Sequence, residues 1–222
     1  MIVAAVPVKD LVNAKQRLVP ALGAEQRAAL AAAMLQDVLT ALSAAALDRV
    51  WVVTRDPAVI ALARARGAEP LIETDNRGHT AAVAHAQAHA ARIGAHVFVT
   101  IPGDVPCVTA EEIRRLGEAA GPRAPAFAPS RSGLGTNGVA LAPPDTMPLR
   151  FGEPSFDNHL TAARALGLAP RVLSLPGMAL DVDAPDDLAA LLAAPVPTIS
   201  ARLVAESHAA ASVAIAGVPR AS

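Results

Sequence analysis

Asp104 is the only acid in the turn Pro102-Gly-Asp-Val-Pro-Cys-Val-Thr109. A carboxylate set among prolines and a glycine can cap its own turn or hold a hard cation. Asp181 and Asp183 flank Val182 just ahead of Pro185. Mg²⁺ takes one or two protein carboxylates and fills its octahedron with phosphate and water oxygens. The three acids therefore read as one ion site, Asp104 joined by Asp181 or Asp183. The cations are just as unevenly placed. Of 19 lysines plus arginines, the only lysines are Lys9 and Lys15, with Arg17 close behind. An ammonium on a flexible stem is a compact charge suited to phosphate oxygens, so these three read as neutralising a triphosphate. There is no Walker motif, which excludes a P-loop enzyme.

Two further stretches suit anions. Residues 130–137, closing on Thr136 and Asn137, combine glycines, hydroxyls and backbone N–H groups that can form an anion nest. Phe151-Gly-Glu-Pro-Ser155 brings Gly152 and a helix start at Ser155, again an anion site. Together they point to an acidic second substrate. The six histidines, His79, His85, His89, His96, His159 and His208, show no metal-ligand spacing. His85 and His89 are four apart but lack the HExxH context. Cys107 has no basic partner in sequence and reads as pocket wall. Asp186 and Asp187 read as first-turn helix charges.

The hydropathy pattern supplies the elements that must hold these residues. It predicts strands at Ile2–Val8, Arg49–Thr54, Glu69–Glu73, Ala95–Ile101, Ala124–Ala128, Gly138–Ala142 and Arg171–Leu175. The run before Asp104 is apolar enough to be buried on both faces of a parallel sheet. A helix over 24–46 follows from Leu30, Met34, Val38 and Leu42, with Leu35 and Leu39 widening the stripe. Others are predicted after Asp56-Pro57, over 79–93, behind a Thr109–Glu112 capping box, over 155–166 with Ser155 as cap, and over 185–193. This alternation predicts a three-layer α/β/α fold with a Rossmann-like, mostly parallel sheet. The basic segment 9–22 then lies at the carboxyl end of the first strand, where phosphates bind in doubly wound folds. Residues 1–194 read as one domain. Residues 195–222 read as an Ala/Ser/Pro-rich tail, weakly packed or partly helical, with a short helix available over 199–206.

Composition narrows the partners. A chain of 222 residues with formal charge −1 and 53% hydrophobic residues suits one domain with a sizeable core and argues against a nucleic-acid partner. One cysteine excludes an internal disulfide. No apolar run approaches membrane-spanning length, and Ile2–Val6 lacks a preceding basic region, so a cytoplasmic protein without membrane contact is expected. Aromatics are 2% with no tyrosine, so hydrogen bonds rather than stacking should select a base.

Several stretches, in order along the chain, resemble the phospholactate guanylyltransferase family of coenzyme F-420 biosynthesis. They are Val6-Pro-Val-Lys9 with Ala14-Lys-Gln-Arg-Leu18, Met34-Leu-Gln-Asp-Val-Leu39, Pro102-Gly-Asp-Val-Pro106, Gly135-Thr-Asn137, Phe151-Gly-Glu-Pro-Ser-Phe156, and Asp181-Val-Asp-Ala-Pro-Asp-Asp-Leu188. The resemblance implies the nucleotide-diphospho-sugar transferase fold of the MobA-like type. It also implies Mg²⁺-dependent transfer of GMP from GTP to 2-phospho-L-lactate, phosphoenolpyruvate or 3-phospho-D-glycerate, with pyrophosphate released. On the resemblance, metal acids fall on Asp104 and the Asp181/Asp183 pair, and acid-substrate contacts on Thr136, Gly152 and Ser155. Where the family commonly reads Gly-Leu-Asn this chain has Gly78-His79-Thr80, a departure beside the expected GTP pocket. A homodimer is left open. The rival readings are a MobA-like or sugar-phosphate nucleotidyltransferase with another acceptor or base, and a non-catalytic nucleotide-binding subunit.

Overall fold

Strand side chains alternate between two cores, and that alternation builds the layers. The computed structural model describes residues 1–11, 14–73 and 77–216. Parts of the predicted basic loop (12–13), of the polar loop before Gly78 (74–76) and of the tail (217–222) lie outside the described residues. The strands are β1 (Ile2–Pro7), β2 (Arg49–Thr54), β3 (Glu69–Ile72), β4 (Val97–Thr100), β5 (Ala126–Pro129), β6 (Thr136–Leu141) and β7 (Arg171–Val172), in spatial order β3-β2-β1-β4-β6-β5-β7. Ala4, Val6, Val52, Val99 and Ala140 face one core; their neighbours Val3, Ala5, Val53, Phe98 and Val139 face the other. The first core is covered by α1 (Ala24–Ala44), α2 (Pro57–Ala65) and α4 (Ala110–Ala119), the second by α3 (His79–Arg92) and α5 (Ser155–Ala165).

All pairings between the named strands are parallel except those of β6, which runs antiparallel to both β4 and β5. The reason is chain length. Only residues 130–135 separate β5 from β6, whereas a parallel return needs a crossover of about a dozen residues. The predicted three-layer, mostly parallel architecture therefore holds, with one reversed strand.

Several boundaries differ from the predicted ones. Pro154, not Ser155, is the N-cap of α5, and Ser155 is its first residue. The last strand ends at Val172, and a short unpredicted helix, α6 (Pro176–Ala179), follows. Close approach explains why α6 carries a glycine: a Cβ on Gly177 would run into the Cys107 carbonyl and the Glu112 carboxylate. Glu112 is buried, accepting from the Gly177 N–H at 2.8 Å and from the Thr109 N–H at 3.0 Å. It thus joins α4 to α6. Beyond α7 (Pro185–Ala193), α8 runs from Ile199 to Ala216. Its start is fastened by Asp37 of α1, whose carboxylate accepts from the N–H groups of Ile199 and Ser200 at 2.7 and 3.0 Å. Val204 packs into a third cluster with Leu18, Leu30, Met34, Leu188 and Leu191. Among the described residues no helix is long and apolar enough to cross a membrane.

Gly177→Ala should lower unfolding free energy by about 1–3 kcal/mol, the usual cost of overpacking a tight site. Urea denaturation checks this, and an unchanged midpoint would contradict the close packing of α6.

Candidate active site

The carboxyl ends of β1 and β4 lie side by side, and each strand runs into an irregular segment rich in functional groups. After β1 the chain carries Lys9 and then Lys15, whose backbone is left-handed at φ 56°. That conformation is rare for a residue with a Cβ. It accompanies an inward side chain: Lys15 Nζ donates at 2.6 Å to Asp104 and at 2.6 Å to Asp183. The lysine side chain is only 8% exposed. After β4 the prolines and Gly103 place Asp104 at the floor of a cleft of about 270 Å³, walled by Pro7, Lys9, Leu35, His79 and Asp183 among others. A backbone bond from the Val182 N–H to the Asp104 carbonyl, 3.1 Å, lays the distant 181–183 segment against this floor.

The charges support one another. Burial alone would lower the Lys15 ammonium, but the adjacent carboxylates hold it above its ordinary range. Burial alone would raise Asp104; the charge and hydrogen bond of Lys15, with a smaller contribution from His79, bring it below the usual carboxylate range. Asp181 stands differently. Its Oδ1 accepts from Asn137 Nδ2 at 3.1 Å, and burial together with the charges of Asp104 and Asp183 raises it despite that bond.

The structure divides the predicted ion site. Asp104 and Asp183 meet at the Lys15 ammonium, while Asp181 is turned to Asn137. Among the described residues no three such side chains group to hold an ion. Two hard carboxylate oxygens are nevertheless the donor set Mg²⁺ takes when phosphates complete its shell, so the residues present fit it. The three basic residues are divided as well. Lys15 is inside, Lys9 lines the exposed rim, and Arg17 is exposed on the 3₁₀ turn Gln16–Leu18 without lining the cleft. Its predicted place with the other two is not reproduced, because that turn carries it outward.

A second chamber of about 140 Å³ shares Pro7, Val8, Lys9 and His79 with the first and adds Gly78 and Glu73. Gly78, at φ 92°, precedes α3. The His79 imidazole is lowered by crowding, against the pull of Asp104. Thr80 is not free for a ligand: its Oγ1 accepts from the Phe151 N–H at 2.9 Å and donates to the Phe151 carbonyl at 3.3 Å.

The predicted anion loops are partly spent on themselves. In the 130–135 turn, Ser130 Oγ accepts from the Gly135 N–H at 3.0 Å and Ser132 Oγ from that of Leu134 at 3.2 Å, so the nest is filled by its own hydroxyls. Asn137 Nδ2 also reaches the carbonyls of Met178 and Ala179. Ser155 does not cap its helix; its Oγ accepts from the Thr136 N–H at 3.0 Å. Gly152 is exposed at φ 113° in the loop before it. Cys107 is buried, and burial with the charges of Asp37 and Glu112 pushes its thiol up to about 11, which fits a wall.

Two residues have a role at the site that differs from their sequence reading. Asp187 accepts from the N–H groups of Asp183 and Ala184 at 3.0 and 2.8 Å and pairs with Arg131 at 2.5 Å, so it steadies the acid beside Lys15. Its place three residues after the Ala184 N-cap was the available signal. His159, 1% exposed, bonds Thr136 Oγ1 at 3.0 Å and accepts from the Arg150 N–H at 3.0 Å. It lies four residues into a helix, and no spacing rule marks it.

Comparison with known proteins gives this cleft its context. The family model described as guanylyl transferase CofC like matches residues 2–200. A phosphoenolpyruvate guanylyltransferase of Conexibacter woesei is 40% identical over 191 residues, covering 85% of this chain and 86% of the relative. One of Sphaerobacter thermophilus is 40% identical over 187 residues, covering 84% and 90%. A crystal structure from Desulfovibrio desulfuricans, assigned to the nucleotide-diphospho-sugar transferases, superposes with a TM-score of 0.73 at 18% identity, covering 94% of this chain and 95% of that one. Fold and relatives together define a nucleotidyltransferase built on the nucleotide-diphospho-sugar transferase fold. Within that class, the chain belongs to the CofC-like guanylyl transferase family.

His159 also makes stability depend on pH. Burial takes its imidazole down to about 4, so the unfolded chain binds a proton first as pH falls. The group's contribution is complete above about pH 6.5 and is lost between there and about pH 4, a change of roughly 3 kcal/mol. Urea unfolding of wild type and His159→Gln across this window should show a shallower slope in the variant; equal slopes would contradict it.

Proposed function

We propose that this chain transfers GMP from GTP to a small phosphorylated carboxylic acid and releases pyrophosphate, in the assembly of coenzyme F-420. Among 2-phospho-L-lactate, phosphoenolpyruvate and 3-phospho-D-glycerate, phosphoenolpyruvate is the acceptor proposed first, because the similar curated proteins carry that name. The observation that carries this reading is the Lys15 ammonium set between Asp104 and Asp183 on the cleft floor.

The chemistry needs little more. The acceptor's phosphate is already ionised, so an oxygen of it attacks the α-phosphorus of GTP without a general base. The new P–O bond forms as the bridge to the β-phosphorus breaks, and the electron pair leaves with pyrophosphate. Catalysis then consists of positioning and charge neutralisation. Lys15, with Lys9 at the cleft rim, would offset charge on the departing phosphates. Asp104 and Asp183 would hold Mg²⁺, with Asp181 beside them; bound there, the ion supplies further neutralisation of phosphate charge. The second chamber is the place proposed for the base, with Gly78 and His79 at its wall. Thr136, Gly152 and Ser155 are proposed for the acid.

Asp104→Asn should lower kcat by about 10²–10³ while keeping the folded circular dichroism spectrum. Pyrophosphate release and product mass, with each nucleoside triphosphate against the three acids, check both the variant and the assignment. Near-normal turnover by the variant would reject the role of Asp104. Transfer of another nucleotide, or only to a sugar phosphate or pterin, would reject the assignment.

A further inference from the structure

Thr136 and Ser155 form a buried pair of hydroxyls, and one imidazole decides where the Thr136 proton points. His159 Nε2 accepts the Arg150 N–H at 3.0 Å. A ring nitrogen that accepts carries no proton, so in the neutral ring the hydrogen is on Nδ1. Nδ1 then donates to Thr136 Oγ1 at 3.0 Å. Ser155 Oγ, which accepts the Thr136 N–H at 3.0 Å, also donates to Thr136 Oγ1 at 3.3 Å. Thr136 Oγ1 thus accepts twice, which uses both lone pairs and leaves its own O–H as an unspent donor. Among the described residues no acceptor takes that proton.

The ring itself has little freedom. It stacks on Phe127 at 5.5 Å and 12°, and meets the Phe151 ring edge-on at 5.1 Å. Phe151 is gripped from the other side by Thr80 and lies 4.5 Å from the His79 ring. The loop that carries Gly152 is therefore held between α3 and α5.

We propose that His159 is a positioning residue for the acceptor: it presets the Thr136 hydroxyl as a donor toward the acid's anionic group. This rests on the reading above that places the phosphorylated acid at Thr136, Gly152 and Ser155. The opposite tautomer would let Thr136 spend its proton on Nδ1 and present lone pairs to an anion. Burial keeps the ring neutral at working pH, which preserves the acceptor nitrogen.

Two measurements test this. Nitrogen-15 histidine NMR on the full chain, with the His159 signals assigned by their loss in His159→Gln, should show Nδ1 protonated and Nε2 bare at neutral pH. A ring protonated on Nε2, or on both nitrogens, overturns the proposal. In kinetics with GTP and phosphoenolpyruvate, His159→Asn keeps an N–H donor near the Nδ1 position, whereas His159→Gln extends its amide to the Nε2 position beside Arg150 and leaves no donor at Nδ1. Gln should raise the phosphoenolpyruvate KM about tenfold or more, the scale of a lost bond to a charged group, with the GTP KM unchanged, and Asn should recover most of it. If both variants move both KM values in step with thermal stability, His159 is only structural and the proposal fails. Inactivity of the wild type with every phosphorylated acid overturns the functional reading and the acceptor role together. An active wild type with the wrong tautomer overturns the positioning role alone.

Discussion

One ammonium shared by two carboxylates organises this molecule. Lys15 comes from the loop after the first strand, Asp104 from the middle of the chain and Asp183 from near its end, yet both oxygens lie 2.6 Å from the same nitrogen. The Lys15 ammonium would not be stable alone at that depth, since an isolated buried charge costs far more than a paired one. The pairing holds Lys15 above and Asp104 below their ordinary titration ranges. A cleft whose floor holds alternating charges in this way offers phosphates a cation and offers a hard cation two oxygens.

The sheet order makes the meeting possible. β1 and β4 are adjacent and parallel, so the loops leaving their carboxyl ends open on the same side. The 181–183 segment then has to be brought in separately. Its route is tied down by the Val182–Asp104 backbone bond, by Asn137 on Asp181 and by Asp187 on the amide of Asp183. Asn137, a ligand-binding candidate on the loop pattern, is engaged in holding Asp181.

The segment Gly78-His79-Thr80 has a structural consequence. Thr80 spends its hydroxyl on both backbone polar groups of Phe151, and His79 packs against that residue's ring. Phe151 in turn touches His159, which bonds Thr136. The wall of the cleft and the buried hydroxyl pair are thus linked through one aromatic side chain.

Local pattern alone determined the layers, most element boundaries, the Thr109–Glu112 cap, and the unusual concentration of lysine and isolated acids at strand ends. These depend on period and turn chemistry between residues a few positions apart, which a linear chain displays directly. Tertiary structure decided the rest. It reversed β6, carried Arg17 away from Lys15, filled the 130–135 nest with its own hydroxyls, turned Ser155 from cap to partner of Thr136, and gave His159 its place. Those outcomes depend on which donors and acceptors meet across the sheet, and hydrogen-bond partners distant in sequence compete for them in a way no spacing reveals. Only the packed chain settles that competition, because burial forces each polar group to find a partner.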